Sequence, residues 1–222
     1  MSTYLFRNII QFNIDHEFEF NTSKNSATVY GSIRPTNDTI NFGNQTWSIF
    51  EATQKKVHND VIYINDTPYE NYESRNIFNI YVNSNHTLLI AVGSTKIVNS
   101  YLKKINTVCD SVEITVPTFD FDVIAHRLAH ANAVWIRTDR DPNVTTEALM
   151  GPGVDADNRT TTAIDTHHAS FLRVIIDIDQ IARMMGFSTK GSIVLINPNQ
   201  PMGTNERINL VYTTYRYVTH IP

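Results

Sequence analysis

Apolar residues in this 222-residue chain occur in short runs, and the longest of these runs is Leu88–Val92. A helix that crosses a bilayer needs about 20 consecutive apolar residues, so the sequence predicts no membrane-spanning segment. Residues 1–7 also lack the basic stretch and the apolar core of a secretory signal. We therefore expect a cytoplasmic protein with no membrane partner, built from strands and short helices.

The first 65 residues have the composition of β-strands separated by polar turns. Segments rich in β-branched and aromatic residues alternate with stretches of Asn, Asp, Ser and Pro, which is typical of antiparallel hairpins. A turn is predicted at residues 34–38, and Ser48–Lys56 has the spacing of either a strand or a short helix. The predicted strands are Tyr4–Ile14, His16–Phe20, Ala27–Ile33, Trp47–Phe50 and Val61–Ile64.

From about residue 75 the pattern changes to strands that alternate with helices. Apolar residues at 3.6-residue spacing predict an amphipathic helix from Gly93 to about Asn106. The other predicted helices are Phe121–Ala131 and Gln180–Met185. The predicted strands are Asn76–Val82, His86–Val92, Val112–Val116, Ala133–Arg137, Ala169–Ile178, Ser192–Ile196 and Ile208–Val218.

These elements predict an α+β fold, with an antiparallel β-rich N-terminal part followed by a mixed sheet with about three short helices. We place the first subdomain at residues 1–70 and the second at residues 71–222, or both in one continuous domain. Residues 1–110 hold 3 Arg and 6 Lys, whereas residues 111–222 hold 8 Arg and 1 Lys. Because arginine suits fixed bidentate contacts, we expect contact surfaces mainly in the second half.

Charge and cysteine content exclude several classes of protein. The chain has 18 Lys and Arg against 22 Asp and Glu, so its net charge of −4 excludes a generally basic nucleic-acid coat. A single cysteine, Cys109, excludes an internal disulfide framework and a Cys-rich zinc site.

Residues 138–168 show no periodicity and are predicted to form a long loop. Loops of this length in a compact domain are frequently functional. This one carries paired carboxylates, arginines and two adjacent histidines, and such a mixture suits a specific polar contact surface. The candidate binding residues are Asp139, Arg140, Asp141, Asp155, Asp157, Arg159, His167 and His168.

Two weaker candidates lie outside this loop. His126 and His130 have i, i+4 spacing on the predicted helix Phe121–Ala131, which would place both imidazoles on one face as in helical zinc sites. A third ligand would have to come from the loop, where paired carboxylates can also hold magnesium or calcium. Ser94, Thr95 and Lys96 begin the predicted helix after Gly93, where free N–H groups can hold an anion or Ser94 and Thr95 can simply cap the helix.

No complete catalytic constellation is visible, so the sequence leaves open whether the chain is an enzyme and favours a non-enzymatic role. We expect a binding or regulatory protein that acts through a protein interface, as a homo-oligomer or with a partner protein, and without a cofactor. Its Asn-, Thr- and Ile-rich composition is typical of AT-rich bacterial or phage genomes, which suggests a defence component or inhibitor in phage–host conflict.

Two alternatives remain open. One is a metal-dependent nuclease or phosphodiesterase that uses the Asp- and His-rich loop with a divalent metal. The other is a nucleic-acid-binding module, for which arginines and aromatic residues are needed together. The residues that suggest it are Arg127, Arg137, Arg140, Arg159, Arg173, Arg207, Tyr212, Tyr215, Arg216 and Tyr217.

Overall fold

The computed structural model of the protein describes residues 2–21, 29–70, 72–125, 129–141, 144–196 and 201–219. The chain forms two compact units. The N-terminal unit is Arg7–Thr115, and the C-terminal unit is Val116–Pro222 together with Met1–Phe6. The change from Lys-rich to Arg-rich composition near residue 110 lies close to this division. The division into residues 1–70 and 71–222 stays a prediction.

Strands outnumber helices in the described part of the chain, consistent with the α+β class. The first strands are β1 Ser2–Phe12, β2 Phe18–Asn21, β3 Val29–Phe42, β4 Gln45–Val57, β5 Ile62–Ile64, β6 Thr67–Tyr69 and β7 Glu73–Asn83. The others are β8 Leu88–Val92, β9 Val112–Thr115, β10 Ala129–Asp141, β11 Val144–Met150, β12 Ala169–Ile178, β13 Ile181–Ser188 and β14 Ser192–Leu195. The helices are α1 Thr95–Val108, α2 Phe121–Val123, α3 Asn158–Asp165 and α4 Thr204–Thr219, and Val154–Ala156 forms a 3-10 turn.

The N-terminal unit contains a sheet with the strand order β1-β8-β7-β4-β3-β2, and β9 pairs with the end of β1. The neighbours from β8 to β2 run antiparallel. β7 pairs with β4 along its whole length, from Trp47↔Asn83 to Val57↔Glu73. Because side chains alternate across a strand, this register buries one face of the pair, including Ala52 and Ile80.

Helix α1 covers the buried face of this sheet, as its apolar spacing predicted. The aromatic ring of Tyr101 is fully buried and meets Phe20 and Phe78 edge to face, each at 5.1 Å between ring centroids. Its hydroxyl donates a hydrogen bond of 2.6 Å to the backbone carbonyl of Ser32. Tyr101 therefore joins the helix to three strands through one side chain.

We expect Tyr101→Ala to lower the free energy of unfolding by about 3–5 kcal/mol, because removing a buried aromatic ring leaves a cavity. Tyr217, which is 46% exposed on α4, provides the matched control, and Tyr217→Ala should change stability by less than about 0.5 kcal/mol. Urea denaturation followed by circular dichroism measures both changes. A small effect of Tyr101→Ala would contradict the packing described above.

The same side chain makes stability depend on pH. Burial raises the pKa of the Tyr101 phenol well above its ordinary value. Above about pH 10 the phenol ionises in the unfolded chain but stays protonated in the folded chain, so folding loses stability as the pH rises. Burial also lowers the pKa of Arg7 to about 10. This guanidinium is present both in the wild type and in Tyr101→Phe, so its titration cancels when the two proteins are compared.

We therefore expect the stability of the wild-type chain relative to Tyr101→Phe to fall by about 1.4 kcal/mol between about pH 8 and pH 11. Near neutral pH, the wild type should be the more stable of the two by about 1 kcal/mol, because the phenylalanine lacks the hydrogen bond to Ser32. Parallel urea titrations at the two pH values measure this difference. A constant difference would show that the phenol is not shielded from water.

The C-terminal unit has the strand order β11-β10-β12-β13-β14-β1, and each neighbouring pair is antiparallel. The mixed sheet predicted after residue 75 is therefore wrong for this unit. Helix α4 packs against its core: Tyr215 stacks on Phe6 with 4.3 Å between ring centroids, and Phe119 meets both Tyr215 and Phe187 edge to face. None of the described helices is long and apolar enough to span a membrane.

Two predicted elements of the C-terminal unit have the wrong type. The predicted strand Ile208–Val218 is α4, in which the β-branched and aromatic side chains point to the core every three or four residues. The predicted helix Gln180–Met185 belongs to strand β13, because Asp179 and Gln180 both adopt positive φ and form the two-residue turn of the β12–β13 hairpin.

In the N-terminal unit, a predicted turn is also wrong, and an open alternative is decided in favour of a strand. Strand β3 continues through residues 34–38, with an irregular register between Pro35 and Thr39 that accommodates Asn37 at a φ of 64°. The chain instead turns at Gly43 and Asn44. The ambiguous segment Ser48–Lys56 is part of strand β4.

Candidate functional site

The segment predicted as a loop over residues 138–168 contains regular structure. Strand β10 continues to Asp141, β11 follows it as a hairpin, and α3 occupies Asn158–Asp165. The loop prediction is therefore wrong. β11 lacks an apolar alternation because its residues are exposed or half-buried along its whole length, so its sequence gives no periodic signal.

Within this segment, the predicted carboxylates do not form one cluster. The Asp157 side chain caps α3, where it accepts hydrogen bonds from the backbone N–H groups of Arg159 at 2.9 Å and Thr160 at 3.3 Å. Asp155 lies in the 3-10 turn before it. Asp139, Arg140 and Asp141 are the last residues of β10, and their side chains lie outside the described part of the structure.

The capping role of Asp157 predicts a purely structural effect of mutation. We expect Asp157→Ala to lower the free energy of unfolding by about 1 kcal/mol, because two N–H groups of the first turn of α3 lose their acceptor. Asp157→Asn keeps a capping oxygen and should stay close to the wild type. Thermal or urea unfolding of the two variants measures the contrast, and equal destabilisation by both would contradict the capping role.

Two of the predicted residues, Arg159 and His168, line the same cleft, which has a volume of about 400 Å³. Strands β10 and β11 form one wall and α3 forms the other. We call it the β10–α3 cleft. Its other polar lining residues are Arg137, Thr138, Glu147, Asn158, Thr162 and Thr166.

Short-range contacts hold the charged groups of the cleft in place. The Arg159 guanidinium forms an ion pair with the Glu147 carboxylate. The backbone N–H of Arg137 donates to the carbonyl of His168 at 2.9 Å. The Arg137 guanidinium donates to the Thr189 hydroxyl at 3.1 Å. Glu147 was missed from the sequence, because it reaches the cleft only through the pairing of β11 with β10.

The adjacent histidines His167 and His168 do not act as a pair. His167 has a φ of 57° and lines a different cleft, of about 440 Å³, together with Asp120, Asp122 and Asp165. Asp120 is already used as a cap, since its carboxylate accepts from the backbone N–H of Val123 at 3.1 Å.

The helical metal site predicted at His126 and His130 requires both histidines on one helix, but His130 lies on strand β10. Helix α2 is Phe121–Val123, and His130 is exposed and pairs with Ile175 of β12. His126 lies outside the described residues. Among the residues that are described, no three His, Cys, Asp or Glu side chains are grouped so that they could hold a metal ion. A metal-dependent enzyme stays a prediction.

At the start of α1, the weak anion site also stays a prediction. Ser94 is the N-cap residue, but its side chain makes no capping hydrogen bond. Ser94 and Lys96 are exposed and Thr95 is half-buried.

The aromatic stripe expected for nucleic-acid binding is not formed, because its residues lie on α4 and not on a strand. Tyr212 and Tyr215 are buried on the core side of this helix, whereas Tyr217 is partly exposed. The predicted strand, with Tyr215 and Tyr217 on one face and Tyr212 and Arg216 on the other, is therefore wrong. A nucleic-acid-binding module stays a prediction.

A second surface, which the sequence did not single out, is the hairpin formed by β5 and β6. Among the described strands, these two pair only with each other, in the register Ile62↔Tyr69 and Ile64↔Thr67. Asn65 and Asp66, at φ values of 50° and 63°, form its two-residue turn. The strand Val61–Ile64 was predicted, but its partner β6 was not.

This β5–β6 hairpin exposes apolar side chains on both faces. Tyr63 is 72% exposed and Ile64 is 52% exposed, and their side chains point to opposite faces because they are adjacent on a strand. Tyr69 is 48% exposed on the face that also carries Ile64. Residues 59–70 contain the three acids Asp60, Asp66 and Glu70 and no Lys or Arg.

The sequence matches no protein-family model, and no curated protein is significantly similar to it.

Proposed function

We propose that the protein is a non-enzymatic binding protein and that it engages a partner protein through the β5–β6 hairpin. The observation that carries this proposal is the exposure of large apolar side chains on both faces of the hairpin. Large exposed apolar patches are rare on monomeric soluble proteins, and where they occur they mark interaction sites. Tyrosine is also among the residue types that contribute most to binding energy at protein interfaces.

The stability of the hairpin supports the same proposal. An isolated two-stranded hairpin is at best marginally stable in water, because it buries little apolar surface. β5 and β6 have no further strand beside them in the described part of the chain, and all six of their residues are exposed or half-buried. A partner that covers Tyr63 on one face and Tyr69 on the other would supply the missing burial.

The charges of the hairpin define the chemistry of the partner. Asp60, Asp66 and Glu70 surround the apolar side chains without a basic residue between them. A complementary partner is a protein with an apolar groove rimmed by Lys or Arg. A second copy of the same hairpin would bring like charges together, so we favour a different protein over self-association. A role in phage–host conflict remains part of this proposal and rests on composition alone.

We expect the triple variant Tyr63→Ser, Ile64→Ser, Tyr69→Ser to lose the partner while it keeps the fold. Loss of even one aromatic anchor of this kind costs about 2 kcal/mol, or roughly 30-fold in affinity. The measurement is quantitative affinity purification of the tagged chain from its native cells, with circular dichroism as the test of folding. The matched control is Val144→Ser, Met150→Ser, Tyr217→Ser, which removes three exposed apolar side chains of the C-terminal unit.

The proposal is supported by partners that the control variant retains and the hairpin variant loses, provided that high salt also weakens their binding to the wild-type chain. The proposal would be contradicted if the wild type, the hairpin variant and the control variant all retained the same set of proteins. Sedimentation of the purified chain tests the remaining case: a dimer that disappears in the hairpin variant would show that the occupant is a second copy.

A further inference from the structure

We infer that one face of the sheet in the C-terminal unit binds single-stranded nucleic acid. We call it the outer face, and define it as the side of β11, β10, β12 and β13 that carries Trp135 and Phe171. The inference concerns this unit alone and is independent of the β5–β6 hairpin. The residues of the outer face on which it rests are Trp135, Arg137, Met150, Phe171, Arg173 and Ile175.

The register of the strands separates the outer face from the core. Successive residues of a strand point to opposite sides of a sheet. Val134 and Leu172 lie opposite each other and are fully buried on the core side. Trp135 and Phe171, the next pair along the two strands, therefore point away from the core. Met150 is 62% exposed on the same side, so this side of the sheet is open to solvent.

An aromatic pair lies at the centre of the outer face. The rings of Trp135 and Phe171 meet edge to face with 5.0 Å between their centroids, and both side chains are half-buried. The Phe171 ring also lies over Gly186 of β13, where it leaves no room for a Cβ atom. This packing holds the rings in place before a ligand arrives, which lowers the entropy cost of binding. Unpaired bases stack on aromatic rings that are presented in this way.

Two arginines flank the aromatic pair. Arg137 lies two residues beyond Trp135 on β10, and Arg173 lies two residues beyond Phe171 on β12. Because these strands are antiparallel, the two arginines extend from opposite ends of the pair, about 13 Å apart along the sheet. Both belong to the set of arginines that suggested nucleic-acid binding from the sequence.

The two guanidinium groups have neutral partners within the described part of the chain. Arg137 donates to the Thr189 hydroxyl at 3.1 Å, and the Nε of Arg173 donates to the side-chain oxygen of Asn132 at 2.7 Å. A guanidinium has five N–H donors, so each keeps donors for a phosphate oxygen. Asp177 is the acid of the described outer face, and it lies on β12 four residues from Arg173. The positive charge beside the aromatic pair is therefore not neutralised by a described carboxylate.

The order of these groups favours nucleic acid over a protein partner. Tryptophan and arginine also occur at protein interfaces. Here, however, stacked rings lie between two cations, which matches a strand in which bases alternate with phosphates. In a duplex the bases stack on each other, so only a single strand can use the rings. Met150 and Ile175, which border the pair, offer no hydrogen-bonding group, so we expect little sequence preference.

The test uses the full chain and fluorescein-labelled oligonucleotides of about 12 nucleotides, oligo(dT) and oligo(rU), with fluorescence anisotropy as the readout. We expect saturable binding of at least one of them in the micromolar range at about 50 mM salt, and weaker binding of a duplex of the same length. The tighter oligonucleotide identifies the class of strand. The slope of log K against log salt should be about −1.4, because two phosphate contacts contribute about −0.7 each.

Variants of the outer face separate stacking from charge. Trp135→Leu should weaken binding about fivefold or more, because leucine has no ring on which a base can stack, whereas Trp135→Phe should keep most of the affinity. Arg137→Gln and Arg173→Gln should each reduce the size of the salt slope by about 0.7. The matched controls are Tyr217→Leu and Arg216→Gln, both exposed on α4, and they should bind as the wild type does.

Tryptophan fluorescence gives a second readout that locates the ligand. The chain has two tryptophans, and Trp47 is fully buried in the N-terminal unit. Stacking on the outer face should therefore quench the emission of Trp135, and Trp135→Phe should bind without this quenching. Circular dichroism shows whether each variant is folded. If Trp135→Leu does not fold, Arg137→Gln and the quenching of the wild type still decide.

Several results would overturn the inference. These are the absence of saturable binding by both oligonucleotides, equal binding of the duplex, binding without quenching of Trp135, and equal weakening by the control variants. A protein partner is the other class of occupant that the test can reveal. If neither oligonucleotide binds and Trp135→Leu loses a protein that the wild type retains from a nuclease-treated lysate, the outer face is a protein interface and the inference is wrong.

Discussion

Two-residue turns with both central residues at positive φ set the strand registers on which both compact units depend. Such turns twist the chain in the same sense as the strands that they connect, so they fix which residues lie opposite each other. Gly43–Asn44, Asn65–Asp66 and Asp179–Gln180 each turn the chain in this way. A shift of one residue at Gly43–Asn44 or at Asp179–Gln180 would move every buried side chain of the following strand to the opposite face.

This constraint explains how much of the fold the sequence could predict. β7, β8, β12 and helix α1 were predicted because burial of one or both faces imposes a clear apolar pattern. β11 was missed because it is exposed along its length. Composition misled the assignment of α4, since Val, Ile and Tyr are frequent in strands but here occupy the buried side of a helix.

The candidate site was only partly predictable, for a related reason. Arg159 and His168 were selected because they lie in a polar segment, and the structure brings both to the β10–α3 cleft. Glu147 could not be assigned to it, because its place depends on the pairing of two strands that local sequence does not reveal. The β5–β6 hairpin was likewise not selected as a surface, since a sequence does not show that a predicted strand lacks cover on both faces. The two surfaces differ in chemistry: one is apolar with an acidic border, and the other is a polar cleft that holds the Arg159–Glu147 ion pair.

Strand β1 has a consequence for the order in which the chain can fold during synthesis. Its first residues, Ser2–Leu5, pair with Leu195–Ser192 of β14 and thereby complete the sheet of the C-terminal unit. These partners are separated by nearly the whole chain, so the ribosome releases the first long before the second exists. Closing so long a segment is slow compared with forming a local hairpin. Tyr4 and Leu5, which are buried in the folded chain, therefore stay exposed until β14 has been synthesised. This apolar segment is where a chaperone that binds exposed apolar residues would act during synthesis.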